Sequence, residues 1–279
     1  MTLYITDLDG TFLGDDARVS AESARIVSDL SRRGALISVA TARTPATVVG
    51  LMADTYTCAD LVVMTGAAIW NRPGARFSEI RLMPPAEARA VMRGFEGSGI
   101  HPFCYTLKDD RLIEVFHAAP RLSAPEQAFV SDRDHLTLKH FNLGCAAPEA
   151  ALDRMVLAFA MGPHDAVTGV ARRLAATTSC YVSYYKDTYT PDLWLLEVFA
   201  NGVSKAAGVE RLRRLTGATR VVAFGDNLND IPMLRAADVG VAVGNALDDV
   251  KAAADVVIGP NTSDAVARYI KEDFEKHGG

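Results

Sequence analysis

The chain has 279 residues, 49% of them hydrophobic and 23% charged, with a formal net charge of −5. That is the make-up of an ordinary globular protein, long enough for one large domain or two modest ones. The negative balance leaves no general basic field for nucleic acid or an anionic membrane, so an anionic ligand must be drawn by a few local cations or a metal.

No apolar run reaches the roughly 18–20 residues of a membrane span, and no secretory-signal pattern precedes the first apolar segment. Cys58, Cys104, Cys145 and Cys180 lie far apart with no Cys-x-x-Cys pair, which reads as reduced, buried thiols in a cytoplasmic protein. The six histidines show no metal-ligand spacing.

The first eighty residues alternate strand and helix. "LYITDL" reads as a strand. "SAESARIVSDLSRRG" reads as a helix with Ser20 as its N-cap and Gly34 as its stop. "ALISVAT" is a second strand, "TPATVVGLMA" a helix with Pro45 near its start, and "ADLVVMTG" a third strand. These strands are continuous apolar runs, the pattern of a parallel sheet covered on both faces.

The middle of the chain differs. "FSEIRLM", "HPFCYTL", "RLIEVFH", "HLTLKHFNLG", "MVLAFAMG", "CYVSYYKD" and "LWLLEVFA" read as strands, with a hairpin turn at Lys108-Asp109-Asp110 and helices over 85–97 and 164–177. After it the alternation resumes: "VSKAAGVERLRRLTG" helix, "RVVAFGD" strand, "DIPMLRAA" helix, "VGVAVG" and "VVIG" strands, "SDAVARYIKEDFEK" helix. The expected architecture is an α/β fold: a doubly wound parallel-sheet domain from 1–82 and 199–279, with an α+β domain inserted over 83–198.

Ligands of an open parallel sheet bind beyond the carboxyl ends of its strands, and the polar residues of this chain gather there. Asp7 and Asp9 end the first strand, and Thr41 ends the second in "VATAR". Asp226 ends a later strand in "VAFGDNLND", with Asn229 and Asp230 opening the helix behind it, and Lys205 starts another helix in "NGVSKAAG". Taken singly, each has a plain structural reading as turn former, cap or solvated lysine. Together, three acids and an Asn would destabilise one another unless a cation held them. Mg²⁺ suits such a cage, taking a couple of carboxylates, waters and a substrate phosphate. A lysine and a threonine nearby suit the remaining phosphate oxygens.

The ordered set "DLDGT", "ATAR", the Lys of "NGVSK" and "GDNLND" resembles the four motifs of the haloacid dehalogenase (HAD) superfamily. The inserted segment resembles the C2B cap of its Cof-type subfamily IIB, and "DIPMLRAADVGVAVGNALDDVKAAADVV" resembles that branch's C-terminal run. The resemblance implies a Rossmann-like core, a C2B cap over the site, and a Mg²⁺-dependent phosphatase acting on sugar phosphates, nucleotides or phosphorylated cofactors. It also implies roles. Asp7 would be the nucleophile that becomes an aspartyl-phosphate, and Asp9 the general acid and base. Asp7, the backbone carbonyl of Asp9 and Asp226 would hold the metal. Thr41, Lys205 and Asn229 would bind the phosphoryl group, and Asp230 would orient the metal site or Lys205.

Two rivals stay open: a phosphomutase sharing the aspartyl-phosphate, and a non-catalytic phosphometabolite-binding protein. The chain departs from the branch at Ala42, where Gly is usual, at Thr65, which takes the Asn place of Asn-Gly-Ala, and at Asp264-Ala265, where Asp-Gly is common. The aromatic stretches "HPFCYTL" and "CYVSYYKDTYTPDLW" are candidates for substrate-facing walls, against the commoner reading of sheet packing.

Overall fold

The computed structural model describes residues 1–187 and 190–277. The chain divides into two units, Met1–Glu79 with Ser204–Gly279, and Ile80–Val203.

The first stretch runs β1 (Thr2–Thr6), α1 (Ala21–Arg32), β2 (Leu36–Val39), α2 (Pro45–Leu51), β3 (Leu61–Val63), β4 (Ala68–Asn71) and β5 (Arg76–Ile80). Ser20 caps α1 by accepting the Ser23 N–H, and Pro45 opens α2, where a missing N–H costs nothing. The hairpin strand β4 was not expected from the sequence. It turns through Arg72-Pro73-Gly74, and Trp70 at its centre is fully buried.

The second unit follows with α3 (Pro85–Gly94), β6 (Phe103–Leu107), β7 (Ile113–His117), α4 (Ala124–Ser131), β8 (Lys139–Leu143), α5 (Glu149–Leu152), β9 (Met155–Gly162), α6 (His164–Thr177), β10 (Tyr181–Lys186) and β11 (Trp194–Phe199). Its six strands form one sheet in the order β10-β11-β9-β6-β7-β8. All pairings are antiparallel except β7 with β8. The β6–β7 turn closes as expected: Asp109 accepts the N–H groups of Arg111 and Leu112, both at 2.7 Å. The chain then returns to the first unit as α7 (Lys205–Thr216), β12 (Arg220–Gly225), α8 (Ile231–Ala236), β13 (Val239–Ala242), α9 (Asp248–Ala253), β14 (Val256–Val257) and α10 (Ala265–His277).

In that unit a parallel sheet has the order β14-β13-β12-β1-β2, and β3 joins beside β2 through a parallel bridge between Ala40 and Val62. Both the first and last stretches of sequence therefore feed one sheet, with β1 at its centre. Leu3, Tyr4, Ile5, Val222, Ala223 and Phe224 are all buried, which is why these strands read as unbroken apolar runs. Helices α1 and α10 pack on one another, as do α7 and α8. The Tyr4 hydroxyl reaches Asp273 of α10 at 2.8 Å.

The expected aromatic walls fall into two kinds. Phe103 and Tyr105 are buried in the second unit, where Phe103 stacks on His117 with ring centroids 4.0 Å apart. Tyr181, Tyr184 and Tyr185 are exposed on the edge strand β10. Tyr189 lies outside the described residues.

One residue in this sheet works against stability. Lys139 on β8 is buried among Tyr105 and Phe141, its Nζ 5.2 and 5.7 Å from their ring centroids. Burial, reinforced by the Arg133 guanidinium, pushes its ammonium down to about 7. An unfolded lysine titrates near 10.4. Between these values the unfolded chain binds more protons than the folded one, so this residue makes stability rise with pH from about 7 to about 10. Replacing Lys139 with Met, which keeps the stem and removes the charge, is expected to raise Tm at pH 7 by at least ~2–4 °C and to flatten that rise. Thermal unfolding followed by circular dichroism at pH 7 and 9.5 checks both.

Candidate active site

Register in the parallel sheet brings three segments to one edge. Thr6, the last residue of β1, pairs with Phe224 of β12 on one side and Val39 of β2 on the other. The residues that follow therefore emerge side by side: Asp7, then Asp226 after Gly225, then Ala40 and Thr41. Backbone bonds continue the ladder past the strand ends, with the Asp7 N–H on the Phe224 carbonyl at 3.0 Å and the Ala40 N–H on the Thr6 carbonyl at 2.8 Å. The Thr41 N–H donates to the Val62 carbonyl at 3.0 Å.

Lys205 arrives from another direction. It is the first residue of α7, where Ser204 caps the helix by accepting the Ala207 N–H at 3.1 Å. A cation at a helix N-terminus opposes the helix dipole, and Lys205 is also only 2% exposed. Two carboxylates compensate. Its Nζ donates to Asp7 Oδ1 at 2.6 Å and to Asp230 Oδ1 at 2.7 Å. They outweigh burial and hold the lysine charged, above its ordinary value.

The second oxygen of Asp230 is also committed, accepting the N–H groups of Asp226 at 3.0 Å and Asn227 at 3.1 Å. Asp7, Asp226 and Asp230 each bring a carboxylate oxygen within 4.8 Å of the others. One ammonium can neutralise one of these charges, and Asp230 has both oxygens spent on Lys205 and backbone amides. Uncompensated negative charge therefore falls on Asp7 and Asp226. Burial, helped by the Asp230 and Asp226 charges and resisted by Lys205, pushes the Asp7 carboxyl up to about 8. Burial likewise raises Asp226, although the Thr11 hydroxyl donates to its Oδ1 at 2.7 Å. Two carboxylates in excess over one lysine, Asp7 buried and Asp226 half-buried, are a donor set that suits a hard divalent cation.

Asp9 sits apart from that charge. The chain turns through Leu8–Phe12, closed by the Leu13 N–H on the Leu8 carbonyl at 2.8 Å. Asp9 is half exposed and grips Arg43 through both oxygens, from Nε at 2.7 Å and Nη2 at 2.6 Å. The turn depends on Gly10, whose φ of +76° favours glycine. A Cβ there would come within 2.5 Å of Asp226 Oδ2. The Gly10 carbonyl is fixed from outside by the Asn245 side-chain amide at 2.7 Å.

Of the residues singled out from the sequence, Asp7, Lys205, Asp226 and Asp230 are brought into one hydrogen-bonded and charged cluster. Thr41 is fully buried beside it, its hydroxyl accepting the Arg43 N–H at 3.2 Å. Asn229 is exposed on the turn after Asp226, and no hydrogen bond joins it to the cluster among the described residues. Sequence reading missed Arg43, Thr11 and Asn245. Thr11 was legible as the hydroxyl of "DGT", and Arg43 as the cation two residues beyond Thr41. Asn245 carried no signal, because its partner is a backbone carbonyl 235 residues away.

This constellation lies in a chain whose residues 4–270 match the sequence model of haloacid dehalogenase-like hydrolases. The chain belongs to that family. Over 96% of its length it is 26% identical to the 5-amino-6-(5-phospho-D-ribitylamino)uracil phosphatase YcsE of Bacillus subtilis, covering 94% of that protein. A 50-residue stretch is 66% identical to the pyridoxal phosphate phosphatase YbhA of Escherichia coli, and that match spans 18% of each chain. Another, 40% identical over 82 residues, spans 29% of this chain and 30% of the 5-amino-6-(5-phospho-D-ribitylamino)uracil phosphatase YitU of Bacillus subtilis. Among solved structures, the HAD subclass IIB sugar phosphatase BT4131 aligns over 98% of this chain and 99% of its own, with a TM-score of 0.72 at 23% identity. A chain from Eubacterium rectale aligns with a TM-score of 0.78 at 19% identity, over 98% of each. Both likenesses are of fold: the Rossmann-like core sheet and the second α+β unit. No helix among the described residues is long and apolar enough to cross a membrane.

Gly10 gives the first test of the cluster. Gly10→Ala is expected to displace the Asp226 carboxylate and to lower any metal-dependent turnover on the order of 100-fold, the cost of a misplacement of about 1 Å. The left-handed backbone adds ~1–2 kcal/mol of strain. Metal titration by calorimetry alongside thermal unfolding separates a lost binding site from a lost fold.

Proposed function

We propose that the protein is a Mg²⁺-dependent phosphatase that hydrolyses small phosphate monoesters through an aspartyl-phosphate. The observation that carries this reading is the buried Lys205 ammonium between Asp7 and Asp230, with Asp226 beside them as a third carboxylate to one lysine. A carboxylate cannot approach an anionic phosphate until positive charge is arranged around both, and catalysis of phosphoryl transfer is then mostly positioning and electrostatics.

Asp7 and Asp226, with the Asp9 backbone carbonyl, would hold Mg²⁺. When bound, the ion supplies charge neutralisation for the carboxylate and the phosphate together. The remaining work belongs to the chain. Lys205 and the Thr41 hydroxyl bind phosphoryl oxygens, and Asn229, exposed behind Asp226, is the candidate for a further one. An Asp7 oxygen bonds to phosphorus as the ester P–O bond breaks, and Asp9 gives the leaving oxygen its proton. Asp9 then takes a proton from water, whose oxygen bonds to phosphorus as the Asp7–phosphorus bond breaks. Asp230 holds Lys205 and the amides behind Asp226 in place throughout. Arg43 grips Asp9 through both oxygens, so it must let go before Asp9 can face a leaving group.

The substrate class we favour comprises sugar phosphates, nucleotides and phosphorylated cofactors. Relatives named for a pyridoxal phosphate and for a ribitylaminouracil phosphate put heteroaromatic phosphates first in any panel. A cytoplasmic setting agrees with four free cysteines; of the four expected to be buried, Cys104 is, with its thiol pushed up to about 12, whereas Cys58 and Cys145 are exposed and Cys180 is half-buried.

Asp7→Asn is expected to abolish phosphate release while leaving the thermal transition in place. Appreciable residual turnover would remove Asp7 as the nucleophile. Excess chelator should stop the wild type and Mg²⁺ should restore it, measured as inorganic phosphate released across the panel. Phosphate moved to another hydroxyl of the same sugar, with none released, would favour a mutase instead.

A further inference from the structure

The turn that follows β3, where the sequence departs from its branch, carries none of the residues of the cluster. Met64, Thr65 and Gly66 have φ of 53°, 55° and 85°, three consecutive residues in the left-handed region. Glycine enters it freely, but a long side chain followed by a β-branched one does not. Neighbours hold the turn on both sides. The Met64 N–H donates to the Arg43 carbonyl and the Thr65 N–H to the Thr41 carbonyl, each at 3.0 Å. On the other side Gly66 lies against the Ser204 carbonyl and Gly208, so closely that a Cβ on Gly208 would come within 2.8 Å of Gly66 Cα. The Arg211 guanidinium donates to the Gly66 carbonyl. The turn is thus fixed between the loop that carries Thr41 and the helix start that carries Lys205.

Thr65 is the costly member of this turn. The residue is 6% exposed, and its hydroxyl is buried with no hydrogen-bond partner among the described residues. Leaving a buried hydroxyl unpaired destabilises a fold, and valine would fill the same space without that cost. Asparagine would suit the left-handed backbone better. A second buried hydroxyl without a hydrogen-bond partner among the described residues, that of Thr44, belongs to the same Thr41 loop. Strain and an unpaired donor at one residue, tied by its own N–H to a phosphate-binding candidate, call for a partner from outside the chain.

We propose that the Thr65 hydroxyl is a substrate contact that donates a hydrogen bond to an oxygen of the phosphate ester held by Thr41 and Lys205. This rests on the phosphatase reading. It makes the threonine at this place a determinant of ligand binding, and the unpaired hydroxyl a cost the free protein carries until the ester arrives.

Thr65→Val and Thr65→Ser separate this from a packing role. The measurements are Tm, the rise in Tm caused by orthophosphate, and kcat/KM for para-nitrophenyl phosphate with Mg²⁺. For the valine variant the expected result is a Tm equal to or above the wild type, a smaller orthophosphate shift, and kcat/KM lower by ~10-fold. The serine variant, which keeps the hydroxyl, should retain most of both ligand responses. A valine variant that matches the wild type in kcat/KM and orthophosphate shift overturns the proposal and leaves the phosphatase standing. A valine variant whose Tm falls along with its activity, or a serine variant that loses as much, also overturns it, since packing would then be the role. A wild type with neither turnover nor an orthophosphate shift removes the phosphatase reading and this contact with it.

Discussion

Everything at the candidate site is arranged around one buried ammonium. Lys205 touches Asp7 and Asp230 at 2.6 and 2.7 Å and is almost wholly removed from water. A lone buried lysine would lose its proton; this one keeps it because two carboxylates accept from it. The dependence runs outward. Asp230 can spend its other oxygen on the amides of Asp226 and Asn227 only because Lys205 neutralises it, and those amides set the direction in which Asp226 leaves β12. Removing one member of such a set leaves the others uncompensated, which is why its parts cannot be valued one at a time.

The chain contains a contrasting case. Lys139 is buried nearly as completely, has aromatic rings rather than carboxylates for neighbours, and has its ammonium pushed down instead of up. The two lysines show that burial alone does not decide a charge state. The nearest acids do.

Much of this was legible in the sequence, for physical reasons. Parallel strands covered on both sides must be apolar throughout, so β1, β2 and β12 announced themselves. Polar residues at their carboxyl ends could then be read as a site before any geometry was known. The cap at Ser20, the helix start at Pro45 and the stop at Gly34, whose φ is 97°, were equally local. Other features were not local. The strand β4 was hidden because "AIWN" is short and its partner is a hairpin neighbour. The helix α4 was overlooked although Ser123 and Glu126 form the expected capping pair, with the Ser123 N–H on Glu126 at 2.7 Å. Lys139 could not be foreseen as buried. The preceding "HLTL" suggests an alternation with Leu136 and Leu138 inward, whereas the strand begins only at Lys139 and turns Phe141 and Lys139 inward together. Arg43 was visible as a residue, but its grip on Asp9 depends on two turns meeting in space.

The pairing of β1 with β12 has a further consequence, in the order of synthesis. Thr2 lies beside Arg220, so the central strand of the sheet waits for a partner made more than two hundred residues later. At translation rates of ~5–20 residues per second, that is roughly ten to forty seconds. During this interval the apolar face and one open edge of β1 have only β2 and β3 for company. The unit Ile80–Val203 is by contrast contiguous, and every strand partner it needs is present when Val203 emerges. A nascent chain would therefore complete its second unit first and its parallel sheet last, and the unpaired edge of β1 is where a ribosome-associated chaperone would have most to protect.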